Sequence, residues 1–177
     1  MFRRWRRIDQ PGLELARIDI GNRSATVSST VIDAGEPAFS LRYVWTLDGK
    51  WRTKSLRIEQ VDHIDRWLTV ERTGNSEWRI DGRPAPHLDG CPELDLSATP
   101  FCNGLAIRRL GEDGEFTAAY IDASDLSVTP SRQRYEQLGP STWRYIDLGV
   151  AKGFTAKLEL DEDGFVATYE GLFEALN

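Results

Sequence analysis

Two adjacent arginines, Arg108 and Arg109, are the side chains best placed for recognition chemistry in this sequence. Read as a strand, the stretch from Leu105 to Leu110 puts Leu105, Ile107 and Arg109 on one face and Ala106, Arg108 and Leu110 on the other. Whichever face turns inward therefore carries a guanidinium, and a buried guanidinium needs a carboxylate because an unpaired buried charge is very costly. Asp89 and Asp95, just upstream, are the natural partners, which makes a purely structural clamp the first expectation. The alternative is ligand binding, in which the guanidinium fork grips a phosphate or sugar hydroxyls at a cavity mouth and Asn103 adds amide donors and an acceptor. Tyr135 fits either picture, stacking on a sugar ring or standing as a buried strand tyrosine with a satisfied hydroxyl.

A second group sits on a hairpin. If Asp48-Gly49 is a two-residue loop, Trp45 faces Arg52, Tyr43 faces Lys54, Leu41 faces Leu56 and Phe39 faces Ile58. That face is apolar at one end and aromatic and cationic at the other, which suits an amphiphile with an acyl tail and an anionic or polar head. The plainer alternative has Arg52 and Lys54 snorkelling outward from an ordinary sheet face.

Enzyme signatures are missing. The sequence has no GxSxG elbow, P-loop, HExxH or strand-linked GxGxxG. His63 stands beside Asp62 and near Asp65, but adjacent strand residues point to opposite sides. No cofactor or metal motif is present, and Cys91 and Cys102 have neither CxxC nor zinc-ribbon spacing. A non-enzymatic role is favoured over catalysis, with paired carboxylates for sugar hydrolysis as the remaining catalytic possibility.

The elements that must hold these residues are strands. Phe39, Leu41, Tyr43, Trp45 and Leu47 alternate with mostly polar neighbours, and similar alternation recurs from Leu13 to Ile20, Ala25 to Ile32, Trp67 to Thr73, Phe116 to Asp122, Trp143 to Leu148 and Phe154 to Leu160. Asp-Gly pairs at 48–49, 81–82, 89–90, 113–114 and 163–164 supply tight turns, and Gly90 and Gly104 read as turn residues. Pro84, Pro86, Pro92 and Pro100 make the stretch from Arg83 to Asn103 a long Pro-rich loop across one end of the sheet. A short helical turn is expected near Leu172 to Leu176, and Trp67, Trp78 and Trp143 are expected in the core or lining a cavity. The fold class is all-β with few short helices at most: one domain over residues 1–177, a strongly curved antiparallel sheet, half-open and barrel-like.

The net charge of -6 and pI near 5.0 argue against general nucleic-acid binding. The local exception is Arg3, Arg4, Arg6 and Arg7 around Trp5, read as a basic strand edge or as a contact for anionic lipid or nucleic acid. No apolar run reaches the ~20 residues a membrane span needs, and no signal peptide is evident, so a cytoplasmic protein with reduced cysteines is expected.

One run is distinctive: His87-Leu88-Asp89-Gly90-Cys91-Pro92-Glu93-Leu94-Asp95-Leu96, then Thr99-Pro100-Phe101-Cys102-Asn103 and Ile107-Arg108-Arg109-Leu110. It resembles the signature of the bacterial putative glycolipid-binding family. The resemblance extends to Trp5-Arg6-Arg7 with Pro11-Gly12, Trp51-Arg52-Thr53, Gln133-Arg134-Tyr135 and the ending Asp163-Gly164-Phe165-Val166 with Gly171-Leu172-Phe173. Leu13 stands where that family has a His, so no role of the His carries over. The resemblance implies a β fold similar to bacterial lipoprotein carriers and a lipid or glycolipid ligand in the hollow of a curved sheet. Arg108, Arg109, Asn103, Tyr135, Trp45 and Arg52 are then the candidate ligand contacts. An enzyme acting on a carbohydrate or lipid-linked substrate, or a protein–protein interaction module, are the alternatives.

Overall fold

The structure is a computed structural model that describes residues 1–63, 65–74 and 76–176. In chain order the described residues form β1 (Phe2–Arg7), β2 (Gly12–Ile20), β3 (Ser24–Asp33), β4 (Phe39–Asp48), β5 (Thr53–Gln60), β6 (Trp67–Thr73), β7 (Glu77–Ile80), β8 (Arg83–Pro84), β9 (Leu94–Leu96), α1 (Phe101–Leu110), β10 (Gly114–Ile121), β11 (Val128–Gln137), β12 (Thr142–Asp147), β13 (Thr155–Leu160), β14 (Val166–Tyr169) and β15 (Phe173–Ala175). All fifteen strands join one sheet in the order β8-β7-β6-β5-β4-β3-β2-β1-β15-β14-β13-β12-β11-β10-β9. Neighbours are antiparallel except β9, which runs parallel to β10. The expected all-β architecture is present, and the sheet is not closed into a barrel.

Two meanders meet at the chain ends, where β1 pairs with β15 through Trp5↔Ala175, Arg6↔Glu174 and Arg7↔Phe173. The C-terminal segment is therefore a strand and not a helical turn, because β1 offers it a free edge. Three of the four N-terminal arginines are held in ion pairs: Arg3 with Asp161 and Asp163, Arg6 with Glu174, and Arg7 with Asp9 and Asp33.

Long-range contacts reveal the curvature. Gln60, on β5 near one edge, donates through Nε2 to the carbonyls of Ala123 and Ser124, beyond β10 near the other edge. The Pro-rich segment links the two edge strands: a 3-10 turn at Pro86–Leu88 follows β8, and Gly90, with φ +89°, redirects the chain towards β9. Buried Leu88 and Cys91 anchor the crossing, and Trp78 Nε1 donates to the Cys91 carbonyl at 2.9 Å.

The hollow of the sheet is occupied by α1. Phe101 through Ile107 are all buried, so this helix has almost no polar face until Arg108. It contacts strands far apart in the sheet: Phe101 meets Trp45 of β4 edge-on at 5.6 Å and stacks on Phe165 at 5.9 Å, while Asn103 reaches Tyr135 of β11. The strand expected from Leu105 to Leu110 is thus a helix. Its alternating Ile-Arg-Arg-Leu end mimics a strand, and full burial removes the periodicity that marks a surface helix. Gly104 is a helical residue and not a turn: a Cβ there would lie 3.1 Å from the Gly164 carbonyl oxygen, so its absence lets the helix seat against the β13–β14 turn.

The β4–β5 hairpin also departs from the expected register. Asp48 accepts the N–H groups of Lys50 and Arg52 and the Nε of Arg52, Trp51 takes φ +61°, and the ladder shifts between Thr46 and Leu47. Trp45 consequently faces Leu56, Tyr43 faces Ile58 and Leu41 faces Gln60. Trp45 is fully buried with its Nε1 on Thr53 Oγ1 at 3.0 Å, so the Trp45–Arg52 pair does not form. Trp78 and Trp143 are core residues, whereas Trp67 is 51% exposed.

Candidate ligand-binding site

Arg109 does find a carboxylate, but the partner is Glu93. Its Nε donates to Glu93 Oε1 at 3.0 Å and one Nη reaches the Pro92 carbonyl at 3.2 Å. Glu93 is buried, and its second oxygen accepts the Thr53 hydroxyl at 2.7 Å, tying α1 to β5. Asp89 is exposed in its turn, and Asp95 points elsewhere. Arg108 is exposed, donates to the Asp163 carbonyl at 2.8 Å, and lies 4.8 Å from the Trp51 ring centroid. Both arginines therefore brace the helix, Arg109 through Glu93 and Arg108 through the Asp163 carbonyl, and neither through Asp89 or Asp95.

Asp95, Asn103 and Tyr135 do come together. Asn103 Nδ2 donates to the Tyr135 oxygen at 3.0 Å, and the Tyr135 hydroxyl donates to Gln133 Oε1 at 3.2 Å. Gln133 in turn donates to Asp95, which also accepts the Cys102 thiol at 3.0 Å. Burial raises the Asp95 carboxyl above the usual range, and hydrogen bonds from Cys102 and Gln133 counter it only in part. Burial, reinforced by Asp95, holds the Cys102 thiol well above the ordinary value. Tyr135 is buried and stacked on Phe116, so it supports this network from behind and does not present a ring to a ligand.

In front of the network lies a cavity of about 210 Å3. Its lining combines Asp95, Asn103, Thr99 and Asp147 with the phenols of Tyr120, Tyr145 and Tyr169 and the rings of Phe154 and Phe173. Tyr145 holds Asp147 with a 3.2 Å O–H···Oδ2 bond, and the Gly149 N–H caps the same carboxylate at 2.7 Å. Tyr145 packs edge-on against Tyr135 at 5.3 Å and Tyr169 at 6.0 Å. Burial pushes the Tyr120 hydroxyl up to about 12 and the Tyr145 and Tyr169 hydroxyls well above their ordinary value, so all three stay protonated donors. Carboxylate acceptors, an amide and phenolic donors beside aromatic faces suit a polyhydroxylated ring: hydrogen bonds take the hydroxyls and the rings cover the C–H face. Val150, 48% exposed, with Ala151 and Leu172 gives the cavity an apolar rim.

A family model described as putative glycolipid-binding matches residues 2–175. The chain belongs to the putative glycolipid-binding family. A crystal structure of a DUF1089 family protein from Pseudomonas aeruginosa is 30% identical to it, covers 92% of each chain and superposes with a TM-score of 0.77. No curated protein matches the chain.

The putative glycolipid-binding signature has a clear structural job here. Gly90 turns the crossing segment, Asp95 on β9 enters the cavity wall, and Asn103 enters it from α1. Thr99 lines the cavity and accepts the Phe101 N–H at 3.2 Å at the start of the helix. Tyr120, Tyr145, Asp147, Phe154 and Tyr169 escaped notice as site residues in the sequence. One signal was available: Trp143, Tyr145 and Asp147 share the inward face of β12, and an acid at an inward strand position marks a polar site.

Proposed function

We propose that this protein binds a glycolipid through its sugar head, held in the cavity between β9, β12 and α1. The observation that carries the proposal is the convergence of Asp95, Asn103, Asp147 and Tyr145 on a cavity walled by Phe154 and Tyr169. Its ~210 Å3 lies below the 300–1,000 Å3 usual for drug-sized ligands. Such a space suits one sugar ring and not a sugar with its tail. Because α1 fills the hollow of the sheet, the alkyl chain leaves over the rim formed by Val150, Ala151 and Leu172.

Calorimetric titration with short-chain alkyl glycosides below micelle formation tests the proposal, with the matching alkanol as control. Glycosides bind and the alkanol does not. Failure of every glycoside to bind, together with no amphiphile in solvent extracts of purified protein, refutes it. A second reading, sugar hydrolysis, draws on one observation: two acids, Asp95 and Asp147, line the same cavity. Release of nitrophenol from nitrophenyl glycosides, abolished in Asp147→Asn, would support that reading over simple binding.

A further inference from the structure

Distinct from the sugar cavity, a groove of about 650 Å3 opens where β4 ends, β5 begins and β6 ends, with the last turn of α1 behind it. Arg52, Lys54, Arg72 and Arg109 line it against only two lining carboxylates, Asp48 and Glu71. Asp48 is engaged by Arg52 at 2.7 Å, and Arg109 is engaged by Glu93. Among the described residues the ion pairs beside this groove are Arg52–Asp48 and Arg109–Glu93, and none includes Lys54 or Arg72. In a chain of net charge -6, this is a local excess of positive charge.

Arg72 is the unusual member. Its guanidinium lies 5.1 Å from the Trp78 ring centroid and donates to the Pro92 carbonyl, yet its Nε–H is buried and has no acceptor among the described residues. That N–H has given up its hydrogen bond to water without gaining another, although the rest of the side chain is only half-buried. Burial lowers its pKa, and Arg109 and Arg52 push in the same direction against the pull of Glu93. An oxyanion entering the groove would supply a counter-charge to the part of the Arg72 side chain that lines it.

We propose that this groove is a binding site for a phosphate monoester, with Arg72 and Lys54 as its principal contacts and Arg52 at the rim. Phosphate oxygens match the guanidinium fork, and Lys54 adds a point charge that needs no fixed geometry. The phosphate can belong to a lipid headgroup or to a soluble phosphorylated molecule, and the site stands independently of the sugar cavity.

The test uses two probes on the full chain. Methyl phosphate is titrated by calorimetry, and cosedimentation is measured with phosphatidylcholine vesicles with and without phosphatidic acid. Binding of methyl phosphate supports the site with a soluble source, and selective cosedimentation with phosphatidic acid supports it with a headgroup source. In either case Arg72→Met and Lys54→Glu weaken binding at least ten-fold while alkyl-glycoside binding is unchanged. Lys54 is exposed, so Lys54→Glu carries the test if Arg72→Met does not fold. No binding of either probe, or equal binding by wild type and every folded variant, overturns the proposal.

Discussion

Arg109 and Glu93 form a charge pair that couples the only α-helix among the described residues to the sheet: Nε to Oε1 is 3.0 Å, and the carboxylate is buried while the guanidinium is partly exposed. Removing the cation strands a buried carboxylate, which is the costlier of the two possible losses. Arg109→Met is therefore expected to destabilise the fold by about 3 kcal/mol, measured by urea unfolding. Glu93→Gln should cost less, since the remaining guanidinium reaches water. The double variant should be more stable than the sum of the two single losses predicts.

Glu14 gives a pH dependence. Ser29 and Tyr43 hydroxyls donate to its Oε1 at 2.7 and 2.6 Å, yet no cation pairs with it among the described residues, and burial raises its pKa from 4.5 to about 7. Folding thus favours the protonated acid. The stability this contributes is complete below pH 4.5 and falls as pH rises through about 7. The loss by pH 8 is on the order of 3 kcal/mol. Chemical unfolding of wild type and Glu14→Gln at pH 5 and 8 checks this: the variant gains on wild type at the higher pH. A constant difference between the two proteins would contradict the expectation.

Gly104 allows α1 to approach the β13–β14 turn. Alanine in a helix interior ordinarily gains about 1 kcal/mol over glycine. Here the new Cβ would press on the Gly164 carbonyl oxygen at 3.1 Å, in a turn that Arg108 also holds from Asp163. Gly104→Ala should therefore destabilise the protein by about 1 kcal/mol, reversing the usual sign. The thermal midpoint would report it.

Asp147 bears on both stability and binding. Asparagine keeps an acceptor for the Gly149 N–H but loses the charge that a sugar hydroxyl would meet. Asp147→Asn is expected to weaken alkyl-glycoside binding about ten-fold, equivalent to roughly 1.4 kcal/mol, and to cost about 1 kcal/mol of stability because the Tyr145 hydroxyl loses a carboxylate acceptor. Tyr135→Phe should also lower stability, because its hydroxyl bridges buried Asn103 and Gln133.

Strand alternation and Asp-Gly turns are local properties, so the antiparallel meander was legible in the residues themselves. Facing Trp143, Tyr145 and Asp147 inward follows from the period of two alone. The signature run from His87 to Leu110 likewise announced the segment that supplies Asp95 and Asn103 to the cavity. What lay beyond reach depended on partners distant in the chain. Helix α1 hides its period because every side of it is covered, and that covering comes from β4, β11 and the β13–β14 turn. The β4–β5 register turned on Asp48 holding a longer loop, which moved Trp45 from Arg52 to Leu56. Glu93 displaced Asp89 and Asp95 as the partner of Arg109 because the helix geometry aims that side chain at β5. Side-chain chemistry and local pattern set the sheet; only the curling of that sheet around a buried helix decided which charges met and which cavity stayed open.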